Sequence, residues 1–175
     1  KLKISDTDHT LAVYPYHFSI ELQARLKENR LEIIIIIHNL STIPMPFSFG
    51  LHPYFKVADL TQIQIKGLSK DCTNHINMKN DKTEKQMQKI NEGIDFLTGP
   101  SKVIKIIDLM NGSLIELEQE KPMDLTVIWS EPPRPMICVE PWTSPRQSLI
   151  SGDRKLDIAA NSSFRLKASI SYDRF

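Results

Sequence analysis

The sequence predicts an all-β fold, an antiparallel β-sandwich, on three observations. Tyr16, Phe18, Ile20, Leu22, Ala24 and Leu26 alternate with His17, Ser19, Glu21, Gln23 and Arg25, the period of a strand with one wet and one dry face. Phe164, Leu166, Ala168, Ile170 and Tyr172 alternate in the same way with Arg165, Lys167, Ser169, Ser171 and Asp173. Between these segments no stretch carries a helical apolar stripe; Lys79 to Glu92 is the nearest, and its apolar residues are too few to bury a face.

In chain order, the first alternating segment meets a polar break at Lys27-Glu28-Asn29-Arg30. Leu31 to Ile37 follows, with isoleucine at every position from 33 to 37. β-Branched side chains are stiff at χ1 and suit a strand buried on both faces. The pair reads as a long hairpin. Pro44, Pro46 and Pro53 keep the next segment from being helical. Shorter strands are expected at Ile63–Lys66, Lys102–Asp108, Ser113–Leu117, Leu125–Trp129 and Met136–Val139. Asn111-Gly112 predicts a type I′ turn between two of them. Ser69 to Glu92, rich in Lys, Asn and Gln, reads as a solvated or inserted loop. The first and last strands are expected at open sheet edges, where a second copy could add on.

Length and composition support a single domain over residues 1–175. With 22 basic and 21 acidic side chains the net charge is +1, which argues against a nucleic-acid partner. No apolar run is long enough to span a bilayer. Cys72 and Cys138 form neither a disulfide framework nor a CxxC pair, and the three sequons at Asn39, Asn111 and Asn161 come without a secretory h-region. A reducing, cytoplasmic setting follows. Residue 1 is Lys, which reads as a segment removed upstream or as part of a longer polypeptide.

Two segments concentrate chemistry. His52 sits in Phe47-Ser48-Phe49-Gly50-Leu51-His52-Pro53-Tyr54-Phe55, among aromatics on a rigid, non-helical backbone. Such surroundings tune a His toward neutral pH and aim it at a ligand; the alternative is a core His donating to a carbonyl. Glu140 ends an apolar strand in Cys138-Val139-Glu140-Pro141-Trp142-Thr143. Loss of hydration there raises a carboxylate toward the range of a useful base; the alternative is an ion pair with Arg146. Trp142 beside it offers a flat face for a sugar ring. His9, His17, His38 and His75 read as solvated or loop residues, and none stands at a metal-ligand spacing. No GxSxG motif and no Gly-rich phosphate loop is present.

These segments resemble the aldose 1-epimerase (galactose mutarotase) family, particularly its bacterial galactose mutarotase-like branch. The likeness is carried by Pro44-Met45-Pro46-Phe47-Ser48-Phe49-Gly50-Leu51-His52-Pro53-Tyr54-Phe55 and by Val139-Glu140-Pro141-Trp142-Thr143 with Ser144-Pro145-Arg146. Tyr14-Pro15-Tyr16-His17-Phe18 and the Asn39-Leu40-Ser41 bend add to it. The resemblance implies an antiparallel β-supersandwich with a sugar cleft on a concave sheet, of which this chain supplies the C-terminal portion. It implies cofactor-free interconversion of the α and β anomers of a hexose, free or phosphorylated. Glu140 would take the proton from the anomeric hydroxyl and His52 would protonate the ring oxygen. Asp95 would bind sugar hydroxyls, with Trp142 against the ring; the other reading of Asp95 is a loop residue making its own turn. The portion outside the match supplies further strands, an upstream His and an Arg in that family. Two other readings stand beside the enzyme: a non-catalytic carbohydrate-binding sandwich with Phe47, Phe55 and Trp142 lining its cleft, and a fragment that another chain completes.

Overall fold

A computed structural model describes residues 1–175. The chain begins with β1 (Leu2–Ser5), α1 (Asp8–Val13), β2 (Phe18–Lys27), β3 (Arg30–Asn39), β4 (Met45–Phe47) and β5 (Tyr54–Lys56). After a 3-10 turn at Leu60–Gln62 come β6 (Ile63–Asn74), β7 (Lys79–Lys82), α2 (Thr83–Met87), β8 (Ile94–Asp108) and β9 (Ser113–Gln119). It closes with β10 (Leu125–Ser130), β11 (Met136–Trp142), α3 (Ser148–Ser151), β12 (Leu156–Ile158) and β13 (Ser163–Arg174). The fold is all-β and antiparallel. Eleven strands form one curled sheet in the order β1-β2-β3-β13-β9-β8-β10-β11-β5, with β6 joined to β8 and β7 to β6. β4 and β12 make a separate two-stranded ribbon. No helix is long and apolar enough to cross a membrane.

The predicted hairpin is β2–β3, which pairs along its whole length from Phe18↔Asn39 to Lys27↔Arg30. Within the isoleucine run Ile34, Ile35 and Ile37 are buried, as a strand covered on both faces requires. Two apolar clusters hold the sheet. One gathers Ile35, Ile37, Met45, Met123 and Leu166 under the ribbon. The other gathers Phe96, Ile104, Ile106, Ile128, Ile137 and Val139. Each of these side chains withdrawn from water contributes roughly 1.5–3 kcal/mol.

Four expectations are corrected. The last strand is no edge: β13 lies between β3 and β9, with backbone pairing along both of its sides, which its alternation of wet and dry faces does not encode. The four-residue strand β1, with only one partner, takes the edge beside β2. Asn111-Gly112 does not form a two-residue turn. The ladder closes at Asp108↔Ser113, leaving four residues in the loop, with a positive φ at Gly112 but not at Asn111. Asp108 organises that loop by accepting from the amides of Ala58 and Asn111 and from the Asn111 side chain. Ser69 to Glu92 is only partly a loop. β6 runs on to Asn74 past a bulge at Gly67, and Cys72, His75, Gln86 and Ile90 are buried. A Cβ at Gly67 would stand 2.3 Å from the Val103 carbonyl oxygen, and its φ of +92° favours glycine. The three helices, of four to six residues, are too short to register a helical period in sequence. α1 starts on a capping box between Thr7 and Thr10.

Candidate functional site

Strand β11 builds the site through its pleat. Ile137 and Val139 point into the core, where both are fully buried. Their neighbours Cys138, Glu140 and Trp142 therefore share the opposite face. Cross-strand pairing carries that face sideways: Cys138 stands opposite Tyr54 on β5 and Trp129 on β10, and Trp129 stands opposite Asp95 on β8.

The His motif is laid along β11 from both ends. Residues 49–51 run antiparallel to 141–143, with the Leu51 amide donating to the Pro141 carbonyl and the Thr143 amide to that of Phe49. The Thr143 hydroxyl locks the same point, accepting from the Phe49 amide at 2.9 Å. Gly50 bridges to Trp142 at one end and Tyr54 pairs with Cys138 at the other. Both pairings have the same register, and that register sets His52 opposite Glu140. Gly50 is needed for this approach: a Cβ there would lie 2.7 Å from Cδ1 and 2.9 Å from Nε1 of Trp142.

Glu140 is 2% exposed. Its Oε2 accepts from the Trp142 indole at 3.1 Å, and its Oε1 lies 3.3 Å from His52 Nδ1. Burial raises its pKa, against the nearby His52 and the indole hydrogen bond, which favour the charged form. The His52 side chain is half exposed; its ring stacks on Tyr54 with centroids 4.8 Å apart and meets the edge of Trp129. It is thus neither a core His nor one donating to a carbonyl.

Asp95 occupies the next patch of the same face and does not make its own turn. Its Oδ1 accepts from Nδ1 of His75 at 2.8 Å and its Oδ2 from Arg146 at 2.8 Å. Burial acts to raise its pKa, but His75 and Arg146 outweigh burial and hold it low. Arg146 therefore pairs with Asp95 and not with Glu140. The two carboxylates are pushed in opposite directions, the pattern that divides a proton-accepting role from a fixed-charge role.

A cleft of about 340 Å³ opens over this face, lined by Phe49, Gly50, His52, Glu140, Trp142 and Arg146 among others. Phe47 and Phe55 do not line it, since both are buried in the apolar clusters. His75 is the residue the sequence did not reveal. Its side chain is 1% exposed and its amide donates to the Asp95 carbonyl, so it holds Asp95 from two sides. The expected strand stopped at Lys66, which left His75 in a loop. One further cluster has no sequence spacing to announce it: ligand atoms of His52, Cys138 and Glu140 all lie within 4.8 Å of one another.

The family model described as aldose 1-epimerase matches residues 1–155. A search of curated proteins finds no match. Among solved structures, a Synechocystis protein superposes with a TM-score of 0.94 at 24% identity, covering 99% of this chain and 61% of that one. A galactose mutarotase-like protein from Clostridium acetobutylicum gives 0.82 at 17% identity, over 99% of this chain and 62% of that one. A galactose mutarotase related enzyme from Lactobacillus acidophilus gives 0.78 at 16%, over 98% and 66%. The fold is that of the galactose mutarotase-like proteins, and the chain spans about three fifths of the length of the first two.

Proposed function

Because the chain belongs to the aldose 1-epimerase family, we propose that it interconverts the α and β anomers of a hexose, with Glu140 as base and His52 as acid. The observation that carries this reading is Glu140 itself: a carboxylate almost wholly out of water, its pKa raised, facing an imidazole across 3.3 Å at the floor of an open cleft. Burying a charge is costly unless it is paired and hydrogen-bonded, and raised carboxylates in clefts are candidates for proton transfer.

The Glu140 carboxylate takes the proton of the C1 hydroxyl. The C1–O1 bond gains its second pair, the C1–O5 bond breaks, and O5 takes the proton held by His52. The open aldehyde turns about C1–C2. O5 then attacks the other face of C1, His52 recovers its proton from O5, and Glu140 returns its proton to O1. Atoms and charge balance without a cofactor. Asp95, fixed by His75 and Arg146, accepts from sugar hydroxyls, and Trp142 supports the ring. The two free thiols, Cys72 and Cys138, accord with a reducing, cytoplasmic setting.

The test is polarimetry on freshly dissolved α-glucose, α-galactose and their 6-phosphates, against a buffer control for spontaneous mutarotation. Acceleration by the protein should fall roughly 10²–10⁴-fold in His52→Ala and in Glu140→Gln. A trace matching buffer for every sugar, from folded protein, would reject this chain as a self-sufficient enzyme and leave a sugar-binding sandwich or a fragment that another chain completes.

A further inference from the structure

The geometry points to a transition-metal site at His52, Cys138 and Glu140, one that takes Zn²⁺ or a cation of similar softness and shuts the cleft. Three ligand types of the kind zinc accepts, one imidazole, one thiol and one carboxylate, present atoms within 4.8 Å of one another. Tetrahedral zinc with bonds of about 2.0–2.3 Å sets neighbouring ligand atoms roughly 3.3–3.6 Å apart. The His52–Glu140 edge is already 3.3 Å.

The sheet explains why the third ligand is at hand. Cys138 and Glu140 are two residues apart on β11 and so share its outer face, and His52 stands across the strand from Glu140. With all three atoms inside 4.8 Å, the closure still needed is at most roughly 1–1.5 Å, to which the half-exposed His52 ring contributes by giving up part of its stack on Tyr54. That exposure also supplies the entry path from the cleft. Cys138 gives up its proton to solvent as it ligates. A soft ligand beside a nitrogen and an oxygen selects zinc-like cations over Mg²⁺ or Ca²⁺, which prefer all-oxygen shells. Three protein ligands leave one position for water. Because the metal would hold both His52 and Glu140, it would block the acid–base chemistry; that consequence rests on the proposed function, whereas binding does not.

The experiment uses the full chain freed of metal by chelation. Calorimetry with Zn²⁺ should give one site. Titration with Co²⁺ should give the near-ultraviolet thiolate-to-cobalt absorption. His52→Ala, at a half-exposed position that folding tolerates, should weaken Zn²⁺ roughly tenfold or more. Cys138→Ser should abolish the cobalt band and Cys72→Ala should leave it intact. Absence of zinc binding at millimolar concentration, cobalt binding without a thiolate band, or a band that moves with Cys72 would each overturn the site. If wild type shows the band and binds zinc yet never accelerates mutarotation, the metal site stands and the enzyme reading falls. If it is active, zinc should inhibit at concentrations matching the calorimetric Kd; undiminished activity at saturating zinc would overturn the shared site.

Discussion

Gly50→Ala isolates the packing that holds the site together. The new Cβ would meet the Trp142 indole at 2.7, 2.9 and 3.2 Å, where relaxed carbon contacts need about 3.5–4.0 Å. The indole must therefore retreat by roughly 1 Å, yet it is tethered by the 3.1 Å bond from Nε1 to the buried Glu140. Keeping the bond leaves overpacking worth about 1–3 kcal/mol. Releasing it leaves a buried carboxylate without its indole donor, a loss of about 1.5–3 kcal/mol. The molecule takes whichever cost is smaller, so the expected destabilisation is about 1–3 kcal/mol, or a Tm lower by roughly 2–12 °C in a chain of this size. Gly50 has no positive φ, so backbone strain adds nothing. Urea and thermal unfolding measure the loss, and the double variant with Trp142→Ala assigns it. With the indole gone, adding Ala at 50 should cost under about 0.5 kcal/mol. The reasoning fails if Gly50→Ala is as stable as wild type, or if its cost is the same without the indole.

Three further outcomes are expected. Glu140→Gln should raise stability at pH 7 while lowering turnover as above: a raised native pKa means the folded state loses stability as pH climbs above the ordinary 4.5. Its advantage over wild type in urea unfolding should disappear on acidifying below about pH 4.5. Asp95→Asn should do the opposite. Asp95 has a lowered pKa, so its contribution is present above the ordinary 3.8 and fades as pH falls below it; the variant should be less stable at neutral pH, with the gap closing in acid. Phe96→Ala, at a fully buried position in the larger cluster, should cost about 3–5 kcal/mol, read as a shift in urea midpoint with an unchanged m-value.

β2 and β13 were legible because period two is a strong signal, and β3 because a run of five isoleucines suits a strand and not a helix. β1 was hidden by its four residues, and the far half of β6 by Lys70-Asp71, charged residues that stay exposed where the pairing with β8 shifts register. The position of β13 could not be read, since alternation tells which side of a strand is dry and not which strands flank it. At the site, Glu140 was legible from the apolar run before it, and its opposition to His52 follows from a register that the two motifs share. Arg146 was expected beside Glu140 but reaches Asp95, a choice made by loop geometry after β11. His75 and the nearness of Cys138 to His52 depend on contacts across strands, which no local spacing records.

The central place of β13 has a consequence for how the molecule comes together. β1, β2 and β3 form one ladder early in the chain, and β9, β8, β10, β11 and β5 form another; in the sheet only β13 is hydrogen-bonded to both. The seam between the two halves is thus closed by a strand that comes after both ladders in this sequence. Until then two raw edges, β3 and β9, face each other without a partner, and the isoleucine strand is one of them. Any delay in placing β13 leaves the isoleucine strand open along that side, so its insertion is a step at which correct folding competes with strand exchange between copies.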